Sequence, residues 1–94
     1  MTYWVYILEC NNSSYYTGYT TDLARRYEEH KQGINCKYTR SFKPIRIAQS
    51  WIIDEGKSQA MKIERLIKTM SKDQKIKLIA MPDLLREFIK LNNI

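Results

Sequence analysis

Two tyrosines near the start of the chain are the first residues whose types and spacing could do chemistry. Tyr6 lies in an aromatic and β-branched run, residues 3–8, and Tyr16 lies in a second strand-like run, residues 15–20. The segment between them, residues 10–14, has the composition of a turn. We therefore predict a hairpin whose opposed strands bring the two phenols towards each other across a sheet. Taken by itself, the pair is most simply explained as aromatic packing.

An arginine and a histidine follow the hairpin on one face of a predicted helix. Residues 20–22 offer N-cap side chains, and the periodic pattern of residues 23–31 ends before Gly33. At 3.6 residues per turn, the side chains within an arc of about 100° are those of Leu23, Arg26, Tyr27 and His30. A lone inward histidine is more often a core residue than a catalyst, and a lone arginine often extends its charge to water. Together on the inward face, after two tyrosines, they indicate a polar site between helix and sheet.

A glutamate lies at the border of a second apolar helical stripe. Residues 58–70 have helical periodicity, and the buried side is predicted to carry Ala60, Ile63, Ile67 and Met70. Glu64 lies about 40° from Ala60 around the helix axis, so its carboxylate faces the margin of the core. Because an unpaired charge there is unfavourable, Glu64 requires a cation. The candidates are Lys68, four residues further on, and a metal ion, and spacing alone favours Lys68.

Length and composition predict one small globular domain over residues 1–94. Hydrophobic residues make up 44% of the chain, which argues against disorder. No apolar run approaches the length of a membrane span, and the first residues lack the basic and long apolar segments of a signal peptide. Cys10 and Cys36 are too few for a zinc site, and we expect both to be reduced thiols. These features predict a cytoplasmic protein with no membrane partner.

The net charge of +6 is unevenly distributed along the chain. Between His30 and Ile53 there is no acidic residue, whereas the cations there are Lys31, Lys37, Arg40, Lys43 and Arg46. Such a segment can be a solvated surface, but clustered cations also gain binding free energy by releasing the counterions of a polyanion. Charge therefore favours a nucleic-acid partner. Tyr38 and Phe42, interleaved with these cations, either offer rings on which bases can stack or belong to the core.

The remaining segments predict a scaffold. Residues 35–43 are predicted to form a basic surface loop, and residues 45–53 a third strand after Pro44. Residues 71–74, Ser-Lys-Asp-Gln, form a capping box that begins another helix, whose predicted buried side carries Ile76, Ile79 and Ala80. After Pro82, a last helix is expected to cover the core with Leu84, Leu85, Phe88 and Leu91.

The ordered set of motifs resembles the GIY-YIG nuclease domain. Trp4-Val5-Tyr6 is followed by Tyr16-Thr17-Gly18, then by Thr20-x-Asp22-Leu23-x-x-Arg26-x-x-x-His30 and the helical Glu64. Trp4-Val5 stand where the family has Gly-Ile, and Thr17 where it has Ile, while the tyrosines and Gly18 are kept. The similarity covers nearly the whole chain and is greatest to the small stand-alone bacterial members, whose Lys-Tyr-Thr segment is similar to Lys37-Tyr38-Thr39.

The resemblance implies an α/β fold, with a three-stranded antiparallel sheet flanked by helices, and metal-dependent hydrolysis of a phosphodiester. Tyr6 would take a proton from the attacking water, directly or as a phenolate, and Tyr16 would help to hold that water and the phosphate. Arg26 would contact the phosphate oxygens, and His30 would orient a tyrosine or relay the proton. Glu64 would hold a divalent ion, Mg²⁺ or else Mn²⁺, beside the leaving 3′ oxygen.

The Tyr6 phenol raises a chemical requirement. Its ordinary pKa of about 10 leaves it almost wholly protonated at neutral pH. We expect nearby cations, Arg26 or Lys37, to lower that pKa.

We therefore predict an endonuclease that cuts nucleic acid, with DNA favoured over RNA. The residues predicted to bind the nucleic acid are Lys37, Tyr38, Thr39, Arg40 and Lys43. Two alternatives stay open. One is a non-catalytic nucleic-acid-binding module of the same fold, and the other is a nuclease subunit that needs a protein partner for targeting.

Overall fold

Three strands and five helices make up the computed structural model, which describes residues 1–94. In chain order the elements are β1 (Tyr3–Cys10), β2 (Tyr15–Thr20), α1 (Leu23–Gln32), α2 (Lys37–Ser41), β3 (Pro44–Ile53), α3 (Lys57–Lys68), α4 (Lys72–Ala80) and α5 (Leu84–Leu91). The predicted α/β fold with a three-stranded antiparallel sheet is confirmed. None of the helices is long and apolar enough to cross a membrane.

β1 is the central strand of the sheet, whose order is β2-β1-β3. Because helices cover both of its faces, its residues are apolar on both sides instead of alternating with polar ones. Val5 and Ile7 point into a core formed with α3, α4 and α5. Tyr6 and Leu8, on the opposite face, are also buried, and Tyr6 contacts α1.

The predicted buried stripe of α3 is confirmed, since Ala60, Ile63, Ile67 and Met70 all belong to the core. The capping box at Ser71 is also present. The prediction of which side of α4 is buried, however, is wrong. Leu78 is the buried residue of α4, whereas Ile76 and Ala80 are exposed and Ile79 is partly buried. The nine-residue helix is too short for periodicity to define its buried side reliably.

The last helix also corrects one prediction. Leu85 is buried, and Leu84 and Phe88 pack against the core, as expected. Leu91 is 79% exposed because α5 ends there, beyond the part of the helix that contacts the core.

The basic segment of residues 35–43 is not an open surface loop. Residues 37–41 form the short helix α2, and Thr39 in its middle is fully buried. A five-residue helix has too little periodicity to be recognised in a sequence. Its tertiary contacts, described below, are made by Tyr38 and Thr39.

The register of the hairpin brings the two tyrosines onto one face. Tyr6 is paired with Gly18, and Leu8 with Tyr16, so Tyr6 and Tyr16 are diagonal neighbours. The Tyr6 ring lies directly over Gly18. A Cβ atom at Gly18 would stand 2.5 Å from the Tyr6 hydroxyl oxygen and 2.7 Å from Cζ, so only glycine leaves room for this ring.

We predict that Gly18→Ala destabilises the fold by about 2–3 kcal/mol, because the Tyr6 ring must move out of a packed position. The measurement is chemical denaturation of Gly18→Ala in the wild type and in a Tyr6→Leu background. Leucine lacks the clashing Cζ and hydroxyl atoms. Gly18→Ala is therefore expected to destabilise the Tyr6→Leu protein less than the wild type, by at least about 1 kcal/mol. Equal costs in the two backgrounds would contradict the contact.

Candidate active site

The centre of the candidate site is a buried hydrogen-bond chain that joins three elements. The Tyr6 hydroxyl on β1 lies 2.8 Å from Nε2 of His30 on α1. Nδ1 of the same ring lies 3.0 Å from the Thr39 hydroxyl oxygen on α2. Both His30 and Thr39 are 0% exposed, and Tyr6 is 2% exposed. Each of these three buried side chains therefore has a hydrogen-bond partner among the other two.

His30 is held in its neutral form. Burial lowers its pKa to about 4, and the nearby charge of Arg26 acts in the same direction, while Glu29 opposes them. A neutral imidazole has one donor and one acceptor nitrogen. The Thr39 hydroxyl also lowers the pKa of the Cys36 thiol, as a donor to the thiolate does. We therefore assign the hydroxyl hydrogen of Thr39 to the bond with Cys36. His30 Nδ1 then donates to Thr39, and Nε2 accepts from the Tyr6 hydroxyl.

The environment of Tyr6 differs from the expectation that cations would lower its pKa. Burial raises the pKa of Tyr6 to about 12. Arg26 lowers it, as expected, but this attraction is smaller than the cost of desolvating a phenolate. Tyr6 is therefore a phenol at neutral pH and cannot act as a preformed phenolate.

Tyr16 lies against the same imidazole and extends the site towards α2. Its ring centroid is 5.2 Å from that of His30 and 5.7 Å from that of Tyr38, on which it stacks. Lys68 Nζ lies 5.9 Å from the Tyr16 ring centroid. Burial raises the pKa of Tyr16, and the adjacent Cys36 raises it further, so Tyr16 is also neutral at pH 7.

Arg26 is oriented by one side chain within α1 and by two backbone carbonyls of the loop that follows this helix. Its guanidinium donates to the Glu29 carboxylate at 3.0 Å and to the carbonyl oxygens of Ile34 and Asn35 at 3.5 and 3.4 Å. The loop after α1 thus holds a permanent positive charge close enough to Tyr6 and His30 to change both pKa values.

Glu64 lies at the margin of the site. Its carboxylate pairs with Lys68 at 3.7 Å, which is the partner that helical spacing favoured. The side chain is 18% exposed, and its charge acts on Tyr6. No group of three or more potential metal-ligating side chains is present. A single, partly exposed carboxylate with one long ion pair fits a hard divalent ion that keeps most of its waters, as Mg²⁺ does.

The residues predicted to bind nucleic acid divide into two groups. Lys37, Arg40 and Lys43 are exposed, as a contact with phosphate requires. Tyr38 is partly covered, because its ring packs on Tyr16 and also lies 5.2 Å from Phe42. Thr39 is a wrong prediction as a surface contact, because it is fully buried and binds His30 instead.

Sequence reasoning missed two participants. Cys36, the N-cap residue just before α2, lies beside Tyr16. Burial raises the pKa of its thiol, but the hydroxyl and backbone of Thr39 and the Tyr16 hydroxyl outweigh burial and hold that pKa below its usual value. Ser14, in the hairpin turn, is hydrogen-bonded through its hydroxyl to that of Tyr38. The only signal available for either was its nearness in sequence to Tyr16 or to the Lys-Tyr-Thr segment.

The protonation of His30 can be tested directly, because it is the only histidine of the chain. We expect its NMR resonances to titrate with a midpoint near pH 4, whereas the urea-unfolded protein titrates near 6.5. The unfolded chain binds more protons between these values, so stability falls as the pH drops from about 6.5 towards 4. A folded-state midpoint of 6 or above would contradict a buried, neutral imidazole.

Comparison with known proteins found a matching family and similar proteins. The family described as the GIY-YIG catalytic domain matches residues 2–77. The UPF0213 protein BH0048 of Halalkalibacterium halodurans is 42% identical over 86% of this chain and 85% of its own length. The UPF0213 protein H16_B0156 of Cupriavidus necator is 51% identical over 78% of both chains.

A solved structure gives the same result. The solution NMR structure of the UPF0213 protein BH0048 from Bacillus halodurans superposes with a TM-score of 0.55 at 42% identity, over 86% of this chain and 85% of that one. The range that the family matches, residues 2–77, contains Tyr6, Tyr16, Arg26, His30 and Glu64. The chain belongs to the GIY-YIG family.

Proposed function

We propose that this protein is a metal-dependent endonuclease that hydrolyses phosphodiester bonds in nucleic acid, with DNA favoured over RNA. The observation that carries the proposal is the bond between the Tyr6 hydroxyl and Nε2 of a neutral His30, beside a fixed guanidinium. A core aromatic residue requires none of these partners. The family membership, which suggests a nuclease, supports the same conclusion.

In this proposal, Tyr6 and His30 act together as the general base. A phenol with a pKa near 12 does not lose its proton to solvent at pH 7. It can pass that proton to His30 Nε2 while its oxygen accepts a proton from the attacking water. Thr39 is a positioning residue, because it holds the ring by accepting from Nδ1.

Arg26 and Tyr16 would contact the phosphate. In-line attack increases the negative charge on the phosphoryl oxygens, and a planar, permanently charged guanidinium can donate to two of them. Arg26 is suited to this because Glu29 and the backbone of Asn35 already fix its orientation. Tyr16, neutral and adjacent to His30, would donate its hydroxyl proton to the water or the phosphate.

Glu64 is the proposed metal ligand. A divalent ion bound there would supply Lewis-acid stabilisation of the leaving 3′ oxygen. The contact with Lys68 is long enough, at 3.7 Å, for the carboxylate to exchange partners at small cost. The exposed cations Lys37, Arg40 and Lys43 would bind phosphates away from the cut. We also propose that the protein resides in the cytoplasm. A protein partner for targeting belongs to the alternative in which this chain is one subunit of a nuclease.

One observation favours the alternative of a non-catalytic binding module. Tyr6 is 2% exposed, and its pKa is raised, so a substrate must reach its hydroxyl through the partly exposed Tyr16 and Arg26 side. A protein that only binds nucleic acid has no need of this access. Cleavage assays separate the two functions.

We predict that the wild type cuts labelled duplex, single-stranded or branched DNA when Mg²⁺ or Mn²⁺ is present, and that Tyr6→Phe lowers the rate at least about 10²-fold. The lost hydroxyl also leaves His30 Nε2 without a partner, at a cost of about 1–3 kcal/mol in stability. Tyr3→Phe is the matched control, because Tyr3 lies on the same strand and its hydroxyl has no hydrogen-bond partner. Its rate should equal that of the wild type. Retained turnover in Tyr6→Phe would exclude Tyr6 as the base.

We further predict that Glu64→Ala abolishes cleavage and any rise in melting temperature produced by Mn²⁺. The fold should survive, because the lost pair with Lys68 contributes at most about 0.5 kcal/mol. Glu28→Ala is the control, since Glu28 also pairs with a lysine on a helix surface, Lys31 at 2.8 Å. A binding module predicts no cleavage and no metal effect in any of the three proteins.

A further inference from the structure

A second polar cleft lies next to the tyrosines, between the β1–β2 turn and the beginning of α4. This turn cleft has a volume of about 280 Å³, and it is lined by Asn12, Ser13, Ser14, Tyr15, Lys72 and Lys75. Its lining thus contributes two ammonium groups, an amide and three hydroxyls, and no acidic side chain. Such a donor set is complementary to an oxyanion with several acceptor oxygens.

The two ammonium groups of the turn cleft are not neutralised within the protein. The four ion pairs of the structure involve Arg26, Lys31, Arg46 and Lys68, and neither cleft lysine takes part in one. Lys75 is partly buried. Burial lowers its pKa, as does the neighbouring charge of Lys68, while Tyr38 opposes them. A charge that is partly desolvated and has no counter-ion gains more from an external anion than a solvated lysine does.

The turn cleft is connected to the candidate active site by side-chain contacts. Ser14, in its wall, is hydrogen-bonded to the Tyr38 hydroxyl. The Tyr38 ring stacks on Tyr16, which lies against His30. Lys68, over the Tyr16 ring, lies close enough to Lys75 to affect its pKa. Lys68, which Glu64 pairs at 3.7 Å, therefore lies between the margin of the tyrosine cluster and the two unpaired lysines of the cleft.

We propose that the turn cleft is a second phosphate-binding subsite, which holds a backbone phosphodiester of the substrate strand next to the scissile one. Lys72 and Lys75 supply the charge, and the hydroxyls of Ser13 and Tyr15 supply hydrogen bonds. The side chains of Asn12 and Ser14 bond to each other and to Tyr38, and they shape the turn. Lys68 stands between the two phosphates. The strand then leaves the active site over the hairpin turn and α4. This inference rests on the proposed function for the identity of the ligand, a nucleic-acid strand.

The experiment measures binding without cleavage. A short, fluorescein-labelled single-stranded DNA is titrated with protein in EDTA, at salt concentrations from about 50 to 200 mM. For Lys72→Ala/Lys75→Ala, the slope of log affinity against log salt should decrease in magnitude by about 0.7, which is the contribution of one phosphate of a single strand. Affinity at the lowest salt should fall roughly tenfold.

Two variants control for net charge and for fold. Lys77→Ala/Lys90→Ala removes the same charge from exposed positions outside the cleft and should leave the slope unchanged. Lys72→Arg/Lys75→Arg keeps the charge and should retain the wild-type slope. Equal losses in the two alanine variants, or no loss at Lys72 and Lys75, would overturn the subsite.

The design separates this inference from the proposed function. A wild type that binds DNA with the expected slopes but cuts nothing in Mg²⁺ overturns the nuclease proposal and leaves the subsite in place. A wild type that cuts DNA while the cleft variant binds with the wild-type slope overturns the subsite alone. Absence of any DNA binding by the wild type overturns the subsite as well.

Discussion

The hydrogen bond between Tyr6 and His30 is the interaction on which the arrangement of the site depends. It connects the central strand to α1 across the face of the sheet opposite the core that Val5 and Ile7 form with α3, α4 and α5. Through Nδ1 and Thr39 the same ring also anchors α2, a helix too short to be stable without such contacts. Gly18 makes the bond possible, because a side chain there would occupy the space of the Tyr6 ring. One missing Cβ atom on β2 thus permits a contact that orients two helices.

Burial of the Tyr6–His30–Thr39 hydrogen bonds stabilises the structure but makes the Tyr6 phenol harder to ionise. It protects the hydrogen bonds from water and keeps His30 neutral, which makes Nε2 an acceptor. The same burial raises the pKa of Tyr6 to about 12, so the phenol cannot ionise by itself. Under the proposed function, the Tyr6 phenol would not need to ionise in advance, because Nε2 of His30, at 2.8 Å, would accept its proton while the phenol oxygen takes a proton from the water. The raised pKa of Tyr6 is compatible with that proposal.

The two sides of the site carry different charged groups. Arg26 is fixed by the loop after α1, and Glu64 with Lys68 borders the opposite side. Within the basic central segment, Lys31 and Arg46 are neutralised by Glu28 and Glu9, so fewer cations are available to a ligand than the composition indicates. Other free cations come from α4, which lies outside that segment but near the same tyrosines. The positive surface is thus assembled from distant parts of the chain, as a binding groove for an extended polyanion would be.

The sequence by itself determined the hairpin, the third strand, the α3 core stripe, the capping box and the ordered set of Tyr6, Tyr16, Arg26, His30 and Glu64. These features depend on local periodicity, turn composition and motif spacing, which are properties of neighbouring residues. Only the tertiary structure decided which side of α4 is buried, that α2 exists, and that Thr39 binds His30 instead of a ligand. It also decided the protonation of the site, since the pKa values of Tyr6 and His30 depend on burial by elements far away in sequence. Contacts between residues distant along the chain, and the desolvation that follows from them, have no local pattern from which they could be predicted.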